Sequence, residues 1–138
     1  MEVTEVTGLT NPRGDRVLGL SWMSSTKPTG WIKIRSDLEL PEFWEYIEGN
    51  CQGSICSLQK RAVMQLLGLT KETLGTIINT PERAKEFLLA HEYSHIRHQD
   101  SRNTRLNKSG HLDPYRIAIE ARATSEAWQE ILKKYGNI

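Results

Sequence analysis

The sequence TPERAKEFLLAHEYSHIR at residues 80–97 contains the most informative motif of the chain, HEYSH at residues 91–95, which has the form H-E-x-x-H. Residues four apart on an α-helix lie about 40° apart around its axis, so His91 and His95 can bind one Zn²⁺. Glu92 is turned about 100° further, where its carboxylate can face a metal-bound water. A zinc ion that keeps one coordination position for water lowers the pKa of that water to about 7. The spacing is typical of zinc-dependent peptide hydrolysis.

The residues before the motif predict an amphipathic helix that carries it. Thr80, Pro81 and Glu82 have the character of an N-cap, a first-turn proline and a first-turn carboxylate. Apolar residues then recur at helical spacing, and the two histidines continue the series: Ala84, Phe87, Leu88, His91 and His95. Both imidazoles are therefore expected to face the interior of the domain.

Length, charge and hydropathy limit the classes of protein to which the chain can belong. A chain of 138 residues predicts one domain, 1–138. A net charge of +1 implies no general attraction to nucleic acid or to acidic membranes. The sequence contains no run of about 18 apolar residues, so no transmembrane helix is predicted, and the N-terminus lacks the pattern of a signal peptide. We therefore expect a cytoplasmic protein without a membrane partner.

The first quarter of the chain, residues 1–36, predicts strands. Val3–Val6 has the character of an edge strand. Residues 16–24, with Leu18, Leu20 and Trp22 on one face, and residues 31–35, which alternate cleanly, predict an antiparallel pair with one buried face.

The remainder, residues 37–138, predicts mostly helices. They cover residues 41–48, residues 58–67 with Leu58, Ala62 and Leu66 inward, the motif helix, and a long final helix from a cap at Asp113 to about residue 135. Residues 76–79 predict a short extended segment. The fold class is therefore α+β: a small, helix-dominated domain with a short antiparallel sheet packed on the motif helix.

A catalytic zinc needs a third protein ligand, and two downstream residues are candidates. Glu120 lies at the centre of the apolar face of the final helix, where an ionised carboxylate is costly unless it is paired or bound to metal. His111 precedes the same helix and could fold back onto the ion. His98 is about 10 Å along the helix axis from His91, too far to share the ion.

A polar stretch at residues 99–112 separates the motif helix from the final helix and bears three cationic residues. A structureless segment of this length in a compact domain is often a binding loop, which here would lie at the rim of the metal site.

The sequence AHEYSHIRHQD at residues 90–100 resembles the motif helix of HtpX-type and related gluzincin metallopeptidases, in which an Asp follows the second His by five residues, as Asp100 does here. These families take a third ligand from a downstream E-x-x-A-D, which EARAT at residues 120–124 matches at Glu120 and Ala123. Thr124 replaces the Asp that would support a zinc-ligating histidine. The stretch KEFLLAHEYSH is also similar to the ImmA/IrrE type of minimal gluzincin. The resemblance covers about residues 80–128 and implies a zincin-like domain.

A looser similarity is to SprT-like proteins, in which H-E-x-x-H is followed about fifteen residues later by G-H and an aromatic residue. Gly110, His111 and Tyr115 match that pattern. This resemblance implies His111 as the third ligand and DNA-associated substrates.

Together these features predict a Zn²⁺-dependent metallopeptidase that acts on a protein or peptide substrate. His91, His95 and Glu120 would hold the metal, Glu92 would be the general base, and Tyr115 or His111 would donate to the oxyanion. Two alternatives stay open. One is a catalytically silent zinc-binding regulatory or protein-interaction module. The other is DNA-linked action, since residues 97–122 hold six Lys/Arg against three Asp/Glu.

Overall fold

A computed structural model describes residues 2–10, 14, 17–23, 30–48, 54–98 and 114–136, with residues 23 and 54–59 described by their backbone alone. The described residues form three strands before residue 36 and five helices after it. The strands are β1 (Glu2–Val6), β2 (Gly19–Met23) and β3 (Gly30–Arg35). The helices are α1 (Leu40–Ile47), α2 (Ser54–Leu67), α3 (Lys71–Gly75), α4 (Pro81–Arg97) and α5 (Pro114–Tyr135). The predicted helix-dominated α+β class is confirmed.

The sheet is mixed, which corrects the prediction of an antiparallel sheet. Its strand order is β1-β3-β2, with β2 antiparallel to β3 and β1 parallel to it. The antiparallel pair and the edge position of β1 were predicted correctly. The direction of β1 relative to β3 was not predicted correctly, because the alternation of residues along a strand indicates neither its neighbour nor its relative direction. Leu18 is buried as predicted, whereas Trp22 is half exposed and stacks on Trp31 with ring centroids 6.4 Å apart.

Helix α4 begins where the sequence predicts. Its N-cap is Thr80, whose hydroxyl accepts a hydrogen bond from the Arg83 backbone N–H at 3.2 Å, and Pro81 occupies the first turn. The predicted stripe is buried, and Phe87 packs edge to face against Phe43 of α1 with centroids 5.7 Å apart. Because α4 also contacts β2, β3 and α5, it lies at the centre of the fold.

Helices α2 and α3 differ from the prediction. In α2 the buried or partly buried positions include Lys60, Val63 and Met64, while Leu66 is 66% exposed. Of the residues predicted to be inward, Ala62 is partly buried, Leu66 is exposed, and the side chain of Leu58 lies outside the described residues, so the inward face is shifted towards Val63. Helix α3 was not predicted, although Thr70 caps it by accepting from the Thr73 backbone N–H.

Residues 76–79 form a turn in place of the predicted extended segment. The backbone N–H groups of Ile77 and Ile78 both donate to the carbonyl of Leu74, at 3.1 and 2.8 Å. The turn follows α3 directly and leads the chain to the Thr80 cap of α4.

Helix α5 agrees with the predicted span, although its predicted cap, Asp113, lies outside the described residues. Its inward residues include Ala123, Thr124, Ala127, Trp128 and Ile131. The last three join α4 and the sheet in one apolar core. This packing brings the middle of α5 against the last turns of α4.

Candidate metal centre

The two motif histidines project side by side from the last turns of α4. His91 is buried and His95 is partly buried, and their rings are nearly perpendicular, at 87°, with centroids 4.7 Å apart. Their common direction follows from the four-residue spacing on one helix. The predicted interior position of these residues is confirmed.

Glu120 reaches both histidines from the neighbouring helix α5. Its Oε2 lies 3.1 Å from His91 Nε2, and its Oε1 lies 3.2 Å from His95 Nε2. The candidate ligand atoms of the three residues all lie within 4.8 Å of one another. The structure thus brings together the two histidines and the carboxylate that the sequence ranked first as third ligand.

The three side chains fit a metal ion. Two donors that each lie 2.0–2.1 Å from a tetrahedral ion are about 3.3 Å apart. Each imidazole nitrogen lies at a similar distance from one of the two Glu120 oxygens, His91 from Oε2 and His95 from Oε1. Two imidazole nitrogens and one carboxylate oxygen suit Zn²⁺ and other first-row transition metals. The group formed by His91, His95 and Glu120 could therefore hold a metal ion, and the donor set leaves the identity of that ion open.

The charges of these residues are strongly coupled. Burial disfavours the imidazolium form of His91, but the carboxylates of Glu120 and Glu92 outweigh it and raise its pKa to about 9. The pKa of His95 is raised in the same way, mainly by Glu120. Burial would raise the pKa of Glu120, yet the two histidines hold it well below its ordinary value. Glu120 is therefore an ionised carboxylate paired with two imidazoles, each of which loses its extra proton to solvent when it binds a metal.

Glu92 is buried between α4 and strand β2. Its Oε1 lies 3.8 Å from His91 Nδ1, outside hydrogen-bonding distance. Burial opposes its ionisation, but His91 and a hydrogen bond from Ser21 lower its pKa below the ordinary value. Glu92 is therefore a charged carboxylate next to the metal-ligand group and separate from it.

Gly19 of β2 lies against this carboxylate and against Ile34. A Cβ at that position would lie 3.4 Å from Glu92 Oε1 and 3.2 Å from Ile34 Cδ1. Sequence reasoning missed both β2 contacts to Glu92. A glycine inside a strand was the available signal, since it often marks a close approach of another group.

The hydrogen bonding of His91 Nδ1, the nitrogen that faces away from Glu120, differs from that of most metal-ligating histidines. Among the described residues, no group lies within hydrogen-bonding distance of the buried His91 Nδ1. The neighbouring position where the gluzincin pattern has Asp is occupied by the buried Thr124. A metal-ligating histidine commonly donates its second N–H to a carboxylate or carbonyl group, and no described group takes this role here.

A cavity opens beside His91 and Glu120 and is enclosed by α1, α2, α4 and α5. Its volume is about 420 Å³, including the part open to solvent. Two of its lining residues carry ionisable groups and were not predicted as site residues: Tyr46 of α1 and Lys60 of α2. The ammonium of Lys60 lies 3.3 Å from the centroid of the Tyr46 ring, a cation–π contact.

Both polar lining groups are protonated at neutral pH. Burial lowers the pKa of Lys60 to about 8, against the opposing charges of Glu120 and Glu92. Burial, followed by the same two carboxylates, raises the pKa of Tyr46 above its ordinary value. The cavity therefore presents an ammonium and a neutral phenol. A possible sequence signal was that Lys60, Val63 and Met64 form an i, i+3, i+4 face.

A second polar group joins the end of α4 to α5. Ser94 Oγ donates to Glu126 Oε2 at 2.8 Å, and His98 Nε2 lies 2.6 Å from Glu126 Oε1. Burial favours the neutral form of Glu126, but contacts with His98 and Ser94 outweigh it and lower the pKa of this carboxyl group. His98 thus contacts Glu126 from the C-cap of α4, which agrees with its predicted exclusion from the ion.

Of the remaining predicted residues, the structure describes Tyr115 and does not bring it to this group. Tyr115 is 51% exposed in the first turn of α5, about 7.5 Å along the helix axis from Glu120, and does not line the cavity. His111, Asp100 and the predicted binding loop at residues 99–112 lie outside the described residues. Their predicted roles therefore stay predictions.

Comparisons of the chain with protein-family models, with curated proteins and with solved structures returned no match. None of the helices formed by the described residues combines the length and the apolar character needed to cross a membrane.

Proposed function

We propose that this chain is a zinc-dependent metallopeptidase, in which His91, His95 and Glu120 hold Zn²⁺ and Glu92 is the general base. One observation carries the proposal. Ligand atoms from two helices lie within 4.8 Å of one another, and the residue after the first ligand is a buried, ionised carboxylate. Structural ion pairs alone do not require this combination of two imidazoles, a shared carboxylate and a separate charged group.

When bound, zinc supplies a Lewis acid and a water of lowered pKa. Glu92 accepts a proton from the attacking water and later returns it to the leaving amine. Its lowered pKa keeps it unprotonated at neutral pH, as a base must be. A hydrogen bond from Ser21 holds it against β2.

The position of β2 supports a peptide as the substrate. β2 lies at one edge of the sheet, and no strand formed by the described residues pairs with its outer side. An edge strand presents backbone N–H and C=O groups to which an extended peptide can add. A peptide bound there would run past Glu92, which packs against the same strand.

The first test measures zinc per chain in the wild type, Glu120→Ala and His111→Ala, each purified without added metal. We expect about one zinc in the wild type and in His111→Ala, and loss of zinc in Glu120→Ala, because three protein ligands are usual in a catalytic site. Loss only in His111→Ala would favour the SprT-like alternative and direct the search to DNA-bound proteins. A wild type that binds no zinc, even after readdition, would contradict the proposal.

The second test compares wild type with Glu92→Gln on a mixture of unstructured peptides, read by mass spectrometry. We expect cleavage to fall by about 10²–10⁴ in Glu92→Gln while zinc content is unchanged, because the variant loses only the base. Glu45→Gln, an exposed carboxylate on α1, is the control. A fully active Glu92→Gln would contradict the mechanism. Zinc binding without cleavage of any peptide would favour the catalytically silent module.

A further inference from the structure

We propose that the cavity beside the metal ligands is a substrate subsite that accepts a carboxylate, and that Lys60 determines this specificity. The inference rests on the proposed function and deepens it by naming a substrate class: peptides that carry a carboxylate next to the cleaved bond.

The cavity is continuous with the metal centre. His91 and Glu120, two of the three candidate ligands, form part of its wall, so a substrate whose reacting bond lies at the metal can place an adjoining group in it. Much of the remaining wall is apolar, with Ile47, Val63 and Leu88 among its residues. Such a wall suits the methylene groups of a side chain, and polar groups in it determine which end group is accepted.

Lys60 is the cationic residue of that wall. Its ammonium contacts the Tyr46 ring, and no described carboxylate lies within ion-pair distance, 4.0 Å, of its nitrogen. An ammonium has three N–H donors, and a cation–π contact engages the charge without supplying an oxygen acceptor. An incoming carboxylate can supply that acceptor.

The charge balance of the occupied site favours an anion. The two positive charges of a bound zinc ion are matched by the carboxylates of Glu92 and Glu120. Lys60 then leaves the site with one positive charge in excess, in surroundings partly removed from water. Hydrogen bonds between charged groups in such surroundings are stronger than those between neutral groups. A neutral amide of the same shape would forgo this interaction.

Two parts of a peptide can supply the carboxylate: a glutamate side chain or the C-terminal carboxylate. Both present a carboxylate on a short stem, and Lys60 would recognise either. The test therefore contains one arm for each source.

The probes are hydroxamate-capped dipeptide analogues, which chelate the metal and are not cleaved. One pair carries glutamate or glutamine and ends in an amide. The other pair carries leucine and ends in a carboxylate or an amide. Dissociation constants are measured by calorimetry on zinc-loaded wild type, Lys60→Met and Lys60→Gln. Lys71→Met, which removes an exposed lysine that pairs with Glu48, is the charge-matched control.

We expect wild type to bind the acid at least about tenfold more tightly than the amide in one of the two pairs, which identifies the source of the carboxylate. In Lys60→Met and Lys60→Gln the ratio should fall to within about twofold, while Lys71→Met keeps it. Melting curves of the zinc-loaded proteins show which of the two Lys60 variants folds, and one folded variant suffices for the test.

Three results would overturn the inference: no acid preference in either pair in wild type, an unchanged preference in the Lys60 variants, or equal weakening of all four probes, which would indicate a structural role. Because the probes need zinc but no catalysis, the two proposals fail differently. Absence of zinc would contradict both proposals. Bound zinc and cleaved peptides, with the same acid-to-amide ratio in wild type and in the Lys60 variants, would contradict this inference alone.

Discussion

Arg35 is a buried charged side chain and Glu120 a partly buried one, and the nearest partners of the two charges differ in kind. The guanidinium of Arg35, which is 1% exposed, donates from Nη2 to the carbonyl oxygens of Leu9 and Val17, at 2.7 and 2.9 Å. Its Nε also donates to Val17, at 3.1 Å. The carboxylate of Glu120 instead lies 3.1 and 3.2 Å from the imidazoles of His91 and His95.

This difference separates a structural group from a functional one. Backbone carbonyls neither titrate nor change partner, so Arg35 holds the segments before β2 against the end of β3 permanently. Imidazoles can give up a proton and bind a metal, so the partners of Glu120 are exchangeable. Arg35 also has the carboxylates of Asp37 and Glu42 at 3.9 Å, but its closest partners are carbonyls. A charge whose closest partners can themselves bind a metal is therefore the stronger indication of a site.

The largest effect is expected for Arg35→Met. The substitution removes the guanidinium donors from the carbonyls of Leu9 and Val17, and among the described residues only Leu9 keeps a second donor, the Val17 backbone N–H, so the free energy of unfolding should fall by about 3 kcal/mol. Urea denaturation measures it, and Lys33→Met on the same strand is the control. Zinc per folded chain should be unchanged. A loss of less than about 1 kcal/mol would contradict the structural role assigned to Arg35.

The next effect is the stabilisation by zinc. At a free concentration of 100 times its dissociation constant, zinc should raise the free energy of unfolding of the wild type by about 2.7 kcal/mol, because it binds the folded chain selectively. At the same zinc concentration the gain should nearly vanish in Glu120→Gln and persist in Arg35→Met. A chelator should reverse it. Equal gains in wild type and Glu120→Gln would show that Glu120 does not bind the metal.

A smaller effect is expected for Glu126→Gln, which weakens the contacts of Ser94 and His98 to α5. Because Glu126 is 30% exposed, the loss in unfolding free energy should be no more than about 1 kcal/mol. Zinc stoichiometry should stay the same, since this carboxylate is not a ligand. Glu130→Gln, an exposed carboxylate on the same helix, is the control. Loss of zinc in Glu126→Gln would mean that the metal centre extends to this group.

The smallest effect concerns Glu86, which binds Lys134 and Tyr135 of α5. Burial opposes its ionisation, but both partners lower its pKa in the folded chain. Its contribution is therefore complete above the ordinary glutamate value of 4.5 and is lost as pH falls through the lower folded pKa.

Denaturation of wild type and Glu86→Gln at pH 7 and pH 3 measures this contribution. The difference in unfolding free energy should be at most about 0.5 kcal/mol at pH 7, because Glu86 is a third exposed, and should shrink at pH 3. Glu45→Gln is the control. A difference that grows towards pH 3 would contradict the assigned direction.

The sequence predicted those parts of the site whose geometry is local. The Thr80 cap, the position of His91 and His95 on one face of α4, and the central place of Glu120 on the inward face of α5 all follow from helical spacing. Spacing along one helix is independent of the rest of the fold, so these predictions needed only the residues themselves.

Other parts were missed because they depend on how distant segments pack. Val3–Val6 alternates in the same way beside either neighbour, so its parallel pairing with β3 was not predictable from it. Helix α2 has two competing apolar faces, and the one with Leu66 was predicted in place of the one with Lys60 and Val63. Helix α3 is five residues long, too short for its periodicity to be recognised.

By itself, the sequence determined which side chains can act together on one element, because the helical repeat sets their relative directions over a few residues. Only the tertiary structure decided that α5 places Glu120 against both histidines, that β2 encloses Glu92, and that α2 turns Lys60 into the cavity. Those relations arise from the free energy of burying surface between elements far apart in the chain, so the residues of one segment do not predict them.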